Sequence, residues 1–189
     1  TITNEVTVAQ ANAVNALTTG VVTGTISTGD MATLDGLTET GHAYTVTVTD
    51  TTVAAANLIT LDGKTTVSVD VTAATTLTGT LANLTTVYGA ATITGLGAEA
   101  VTVSDSGVIA AAELNAIDTA TTGVVTVSGI TGLTGTVAAV NAAFAGNGVA
   151  ERIAGLADTE TATITDTTVA AADLITANAH TTGLVTAQA

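Results

Sequence analysis

The feature that most constrains this chain is self-repetition. Thr47-Val48-Thr49-Asp50-Thr51-Thr52-Val53-Ala54-Ala55-Ala56-Asn57-Leu58-Ile59-Thr60 returns as Thr163-Ile164-Thr165-Asp166-Thr167-Thr168-Val169-Ala170-Ala171-Ala172-Asp173-Leu174-Ile175-Thr176. Between them, Thr102-Val103-Ser104-Asp105-Ser106-Gly107-Val108-Ile109-Ala110-Ala111-Ala112-Glu113-Leu114 keeps the same order of Thr/Val alternation, one Asp and an Ala-rich segment. The marker aspartates lie 55 and 61 residues apart (50 to 105, 105 to 166). A period of this size is supersecondary, so the copies read as stacked units of one array. The approximate units are 1–44, 45–100, 101–160 and an incomplete 161–189.

Two further phrases alternate with the first. Leu77-Thr78-Gly79-Thr80-Leu81-Ala82-Asn83-Leu84 matches Leu133-Thr134-Gly135-Thr136-Val137-Ala138-Ala139-Val140, with a weaker relative from Ser27 to Leu37. Thr18-Thr19-Gly20-Val21-Val22-Thr23 returns at 121–126 and, as Thr-Thr-Gly-Leu-Val-Thr, at 181–186. This last phrase joins the end of one unit to the strand of the next.

Period-two alternation of β-branched and hydroxyl residues marks strands at 45–49, 67–71, 101–104, 124–127 and 162–165. Leu77, Leu81, Leu84 and Tyr88 fall at i, i+4, i+7 and i+11, as do Leu133, Val137, Val140 and Phe144, with Thr80 or Thr136 placed as an N-cap. The Ala-rich phrase after each marker Asp also reads as helix, ended in the first copy by Gly63. Strand, short helix, strand at these spacings predicts α/β structure: a repetitive solenoid with a parallel sheet and right-handed crossovers. The alternative is a β-solenoid in which the Ala-rich segments are turns.

Composition agrees with thin layers rather than a deep core. The chain has one Phe, two Tyr, one Met and no Trp, so the apolar material is almost entirely Ala, Val, Leu and Ile. There is no Pro, which suits an extended parallel sheet where each missing amide would break a ladder. Sixteen acidic residues face only Lys64 and Arg152, a formal charge of −14. That excludes nucleic acid and anionic membrane surfaces, whose phosphates need clustered cations. No apolar run is long enough to span a bilayer, so no membrane insertion is expected. With no Cys, neither disulfides nor thiolate metal sites are possible. The opening and closing phrases both read as strand, so either a longer polypeptide or end-to-end self-association is expected.

The residues offer no catalytic set and no cofactor fingerprint. His42 and His180 sit in unrelated Gly/Thr connectors and read as surface loop residues. Gly95-Leu96-Gly97 and Gly146-Asn147-Gly148 lack the continuation of a phosphate loop and read as turns. The sequon Asn83-Leu84-Thr85 falls on a helix with Leu84 inward. An enzymatic reading would look to Glu151 and Arg152 in the least repetitive stretch, 146–156.

Asp50, Asp105 and Asp166 are the candidate site residues, aligned by the repeat along one edge. In one reading they are calcium ligands, with further oxygens from Asp62, Asp70 or Asp118 and from Thr hydroxyls or carbonyls. Alternate-strand spacing of about 10 Å, twice ~4.8 Å, is too wide for one ion to bridge two of them directly. In the other reading each Asp accepts hydrogen bonds from the next one or two amides where strand becomes helix. Thr-x-Thr strands add an ice- or glycan-binding face as a ligand-binding alternative, although aromatic platforms for sugars are scarce.

These phrases, Thr-Val-Thr-Asp-Thr-Thr-Val-Ala-Ala-Ala, Leu-Thr-Gly-Thr and Thr-Thr-Gly-Val-Val-Thr, resemble the long Thr/Val/Ala/Asp-rich repeat arrays of giant bacterial cell-surface and secreted proteins, especially those of cyanobacteria. The resemblance is one of repeat style and covers most of the chain. It implies an extracellular fibre, filament, sheath or adhesin stalk, non-enzymatic, with calcium-dependent folding after export.

Overall fold

A computed structural model describes residues 1–147 and 152–188. The chain is α/β, with short parallel strands alternating with short helices. One lap of chain, from the start of one helix to the start of the next, is the recurring element.

The laps fall into two compact units, Thr1–Thr78 with Thr86–Leu96, and Gly79–Thr85 with Gly97–Ala189. In the first, α1 (Val8–Asn15), β1 (Thr23–Thr25) and α2 (Met31–Leu34) precede β2 (Ala43–Thr47), β3 (Thr52–Ala54) and α3 (Ala55–Asp62). Then come β4 (Val69–Asp70), β5 (Thr76–Gly79), α4 (Leu81–Gly89) and β6 (Ile93–Thr94), the division between units passing through the β5–α4 stretch. Strands β1, β2, β4 and β6 form a parallel sheet in that order, and β3 pairs with β5. In the second unit β7 (Ala100–Val103), β8 (Gly107–Ala110) and α5 (Ala111–Ala120) lead to β9 (Val125–Val127), β10 (Ile130–Gly135) and α6 (Val137–Gly146). After these follow β11 (Ile153–Ala154), β12 (Thr161–Ile164), α7 (Ala171–His180) and β13 (Val185–Ala187). Here β7, β9 and β11 pair in one parallel set and β8, β10, β12 and β13 in another.

Alternation in the strands sorts the side chains. In β2 the sequence Ala-Tyr-Thr-Val-Thr turns Tyr44 and Val46 inward and Thr45 and Thr47 outward. The interior is thin and aliphatic: Leu58, Leu77, Leu84, Leu114 and Leu133 are each fully buried. Tyr44 is the aromatic exception; burial pushes its phenol above the usual range, while its hydroxyl donates to Asn15 Oδ1 at 2.5 Å.

The helices are of two kinds. The Ala-rich helices α3, α5 and α7 begin after Ala54, Ala110 and Ala170, none of which makes a side-chain cap. In the first two copies a strand, β3 or β8, runs straight into the helix, so the ladder to the next lap fixes the entering backbone. The helices of the Gly-Thr phrase are side-chain capped: Asp30 accepts from Thr33 N–H at 2.9 Å, Thr80 from Asn83 N–H at 3.3 Å and Thr136 from Ala139 N–H at 3.2 Å.

Two expectations change in detail. Leu77 and Leu133 lie in β5 and β10 rather than on the helices they prefigure, because each helix starts only after its Thr cap. Val53 is a strand residue, because β3 occupies the front of the Ala-rich phrase. The five expected strands and the Ala-rich helices are present. Asn83-Leu84-Thr85 lies on α4 with Leu84 buried.

Candidate functional site

The recurring polar residues meet at joints between successive laps. Asp50 Oδ2 accepts the backbone N–H of Met31 at 2.7 Å, Asp105 Oδ2 that of Leu81 at 2.7 Å, and Asp166 Oδ2 that of Val137 at 2.6 Å. Each acceptor thus reaches the first residue of the helix one lap earlier. Beside each carboxylate, the preceding residue donates to the glycine before that helix: Thr49 N–H to Gly29 O at 2.8 Å, Ser104 N–H to Gly79 O at 2.8 Å and Thr165 N–H to Gly135 O at 3.0 Å. The clamp is therefore one design used three times. A helix leaves its first amides without internal partners and carries positive potential there, so a carboxylate from the next lap satisfies both. Gly29 is required by the closeness of the approach, since a Cβ there would lie 2.5 Å from Thr47 O and 2.6 Å from Thr49 Cγ2.

This corrects the expectation that each Asp bonds the amides just after it. Asp50, Asp105 and Asp166 stand beyond the ends of β2, β7 and β12, in the connection to the next element, where the unpartnered first amide of the preceding lap's helix lies within reach. Asp105→Ala is expected to lower stability by about 2 kcal/mol, and Asp105→Asn by about half as much because an amide oxygen still accepts. Urea unfolding followed by circular dichroism measures both.

A second joint uses paired threonines. Thr121 Oγ1 donates to Glu99 O at 2.6 Å and accepts Gly123 N–H at 3.0 Å, while Thr122 N–H donates to Gly97 O at 2.9 Å. Thr181 and Thr182 repeat this on Glu160 O and Asp158 O, at 2.6 and 2.7 Å. Thr65 and Thr66 do the same on Tyr44 O and His42 O, at 2.7 and 2.8 Å. The phrase read as a connector is thus a staple across laps.

Two buried acids lie beside these staples. Glu99 Oε2 accepts the N–H groups of Gly97 and Ala98 at 2.8 and 3.1 Å, and Glu160 Oε1 accepts that of Ala157 at 2.7 Å. Both side chains are buried. They were not singled out from the sequence, although each stands six residues before a marker Asp, as Tyr44 does.

The other named carboxylates have their own partners. Asp62 Oδ2 accepts from Thr92 Oγ1 at 2.9 Å. Asp118 pairs with Arg152 Nε at 3.0 Å, and the same guanidinium also donates to Asp118 O. Asp70 Oδ1 accepts Thr72 Oγ1 at 2.6 Å and Thr72 N–H at 3.0 Å, and these bonds hold its carboxyl below the usual range against a small opposing effect of burial. A depressed value means that this bond stabilises the fold above the unfolded carboxyl pKa and is lost as pH falls through the folded one. Thr72→Val is expected to raise the Asp70 pKa toward the ordinary value of about 3.9, read by NMR titration. Among the described residues no group of three or more His, Asp or Glu side chains is placed to hold a metal ion.

The histidines are not surface loop residues. His42 is buried, with Nδ1 accepting Val22 N–H at 3.1 Å, because that amide has no strand partner at this point. His180 ends α7 and lies near-parallel to the Phe144 ring, with centroids 5.9 Å apart. Arg152 is paired as above, and Glu151 lies outside the described residues. Gly95 and Gly97 take φ of 90° and 125°, as a turn requires. No helix among the described residues is long and apolar enough to cross a membrane. No family model, curated protein or solved structure matches the chain.

Proposed function

We propose that this chain is an acidic, non-enzymatic repeat of an extracellular or cell-surface structure: a fibre, filament, sheath or adhesin stalk built as an α/β solenoid. The observation that carries the reading is the threefold use of the Asp clamp. Its recurring polar side chains are engaged in lap-to-lap bonds instead of converging on a cleft where a substrate would react. Chemistry needs a nucleophile, base and stabilising donors within reach of one another; a structural array needs the same joint at every period. The resemblance to giant bacterial surface-protein arrays points the same way. In this reading the chain associates end to end or continues in a longer one, binds no nucleic acid and needs no cofactor.

The direct test is localisation. Immunogold labelling of intact producing cells with antibody against this chain should decorate surface fibres, and brief external proteolysis should remove the label. Label confined to the cell interior would sink the proposal.

A second reading, a ligand-binding surface module, is favoured by one feature of the first unit. Thr25 pairs with Thr45, and the β2–β4–β6 register sets Thr45 opposite Ser68 and Ser68 opposite Thr92, all four exposed. A rank of hydroxyls repeating at about 4.8 Å suits an ordered lattice such as ice or a crystalline glycan. Ice-recrystallisation inhibition that disappears in Thr45→Lys would support this reading; inactivity of the unaltered chain toward both ice and insoluble polysaccharide would remove it. Calcium belongs to the same alternative, with Asp50, Asp105 and Asp166 offering their remaining carboxylate oxygens.

A further inference from the structure

The repeat places three copies of one neighbourhood side by side. Its joint residues are constant: Asp50, Asp105 and Asp166 at the clamp, and Thr65-Thr66, Thr121-Thr122 and Thr181-Thr182 at the staple. The side chains around the staple are not. Four places define them: seven residues after the start of the capped helix, the residue whose carbonyl takes the second staple threonine, and the residues three before and one before the first staple threonine. Copy by copy they read Thr38, His42, Asp62 and Lys64; Tyr88, Gly97, Asp118 and Ala120; Phe144, Asp158, Asn178 and His180. Apart from one Asp shared by the first two copies, every place differs in each. A joint alone does not call for different side chains beside it in each copy; copy-specific binding does.

In the third copy this set lines a cleft of about 330 Å³ between two successive laps, at the ends of α6 and α7, a size that holds a small ligand. Thr182 fixes one rim, its N–H and Oγ1 both donating to Asp158 O, at 2.7 and 2.6 Å. Phe144, only 5 % exposed, backs the His180 ring. Asn147 lends Nδ2 to Leu156 O at 2.9 Å, which leaves its Oδ1 for the cleft. The side chains of Asp158, Asn178 and His180 make no hydrogen bond among the described residues. Their counterparts are committed or absent: His42 holds Val22 N–H, Asp62 holds Thr92, Asp118 holds Arg152, and Gly97 and Ala120 offer no polar group.

We propose that this cleft binds one sugar unit of a neutral glycan. Two of its uncommitted groups are acceptors, the Asp158 carboxylate and Asn147 Oδ1; two both donate and accept, the Asn178 amide and the His180 imidazole. An anion only accepts, and it would meet Asp158 on a chain of formal charge −14. An ammonium only donates and leaves the Asn178 and His180 N–H groups without acceptors. A metal ion lacks ligands, since no three His, Asp or Glu side chains are grouped among the described residues. Neighbouring sugar hydroxyls donate and accept at once, and the C–H face of a sugar ring can rest on the imidazole that Phe144 backs. The site is separate from the hydroxyl rank of the first unit and does not rest on the fibre reading.

Amide NMR of the isotope-labelled full chain, titrated to about 100 mM with D-glucose, D-galactose, D-mannose and N-acetylglucosamine, tests it. Methylammonium and inorganic phosphate are the comparison probes. At least one sugar should shift the amides at 144–147, 158 and 178–182 with a Kd of about 1–10 mM, and neither comparison probe should. Asp158→Ala should weaken that sugar about tenfold and Asn178→Ala about threefold, while Thr45→Lys, on the hydroxyl rank, should leave its affinity unchanged. Both cleft side chains are exposed, so the melting temperatures of their variants should match that of the unaltered chain. The shift map of the unaltered chain locates binding even where a variant unfolds. No shift at these amides with any of the four sugars, the same shifts with methylammonium or phosphate, or an affinity untouched by Asp158→Ala combined with Asn178→Ala overturns the proposal. Sugar shifts confined to Thr25, Thr45 and Ser68 overturn it too, in favour of the hydroxyl rank.

Discussion

Leu114→Ala is expected to destabilise the chain by about 2–5 kcal/mol, and Leu174→Ala by less than about 1 kcal/mol in the monomer. The two leucines occupy the same place in the repeat. Leu114 has no solvent exposure and sits on α5, which packs against α6, β8 and β10. Shortening it removes the transfer energy of the lost carbons and leaves a cavity that neighbours on every side hold open. Leu174 is half-buried on α7, so water already reaches it and no closed cavity remains. Urea denaturation of dilute protein gives both values. Equal losses would mean that the lap following each Ala-rich helix does not shield it.

Gly123→Ala is expected to cost about 2–3 kcal/mol, against a change near zero for Gly20→Ala. At Gly123 a Cβ would overlap Glu99 O and lie 2.6 Å from Glu99 C and 2.8 Å from Ala100 N. The crowding follows from the staple, since Thr121 pulls the turn against the Glu99 carbonyl while holding Gly123 N–H. Relief would require one of those bonds to break. Gly20 makes the same local bond, its N–H to Thr18 Oγ1 at 3.0 Å, yet the nearest atom to its Cβ would be Thr18 Oγ1 at 3.5 Å. Thermal melts of the two variants separate the effect of the staple from any general cost of alanine in the Thr-Thr-Gly phrase.

The repeat made the fold class and much of the element order legible. Val-Thr alternation marked β2, β7 and β12, and Thr80 and Thr136 marked two helix starts. Leu77 misled because its spacing to Leu81 fits a helix and equally fits a buried strand position before a cap. The joints were half legible. Alternation of the Gly-Thr phrase with the Asp phrase indicated that they are neighbours, but nothing in one dimension said that Asp105 bonds Leu81 rather than its own turn. Glu99 and Glu160 escaped because buried acids are rare and these two are held by amides of their own loops, a local geometry without a residue motif. His42 escaped for the opposite reason, since its partner is a backbone amide twenty residues away.

The measurement that tests the central claim most directly is cryo-electron microscopy of the native material bearing this chain, with and without a calcium chelator. The account predicts continuous filaments in which parallel strands follow lap after lap, with their order kept on chelation because the Asp50, Asp105 and Asp166 clamps hold backbone amides. Isolated compact particles, alike with and without chelator, would contradict the structural role, and filaments that lose order on chelation would reassign the aspartates to metal.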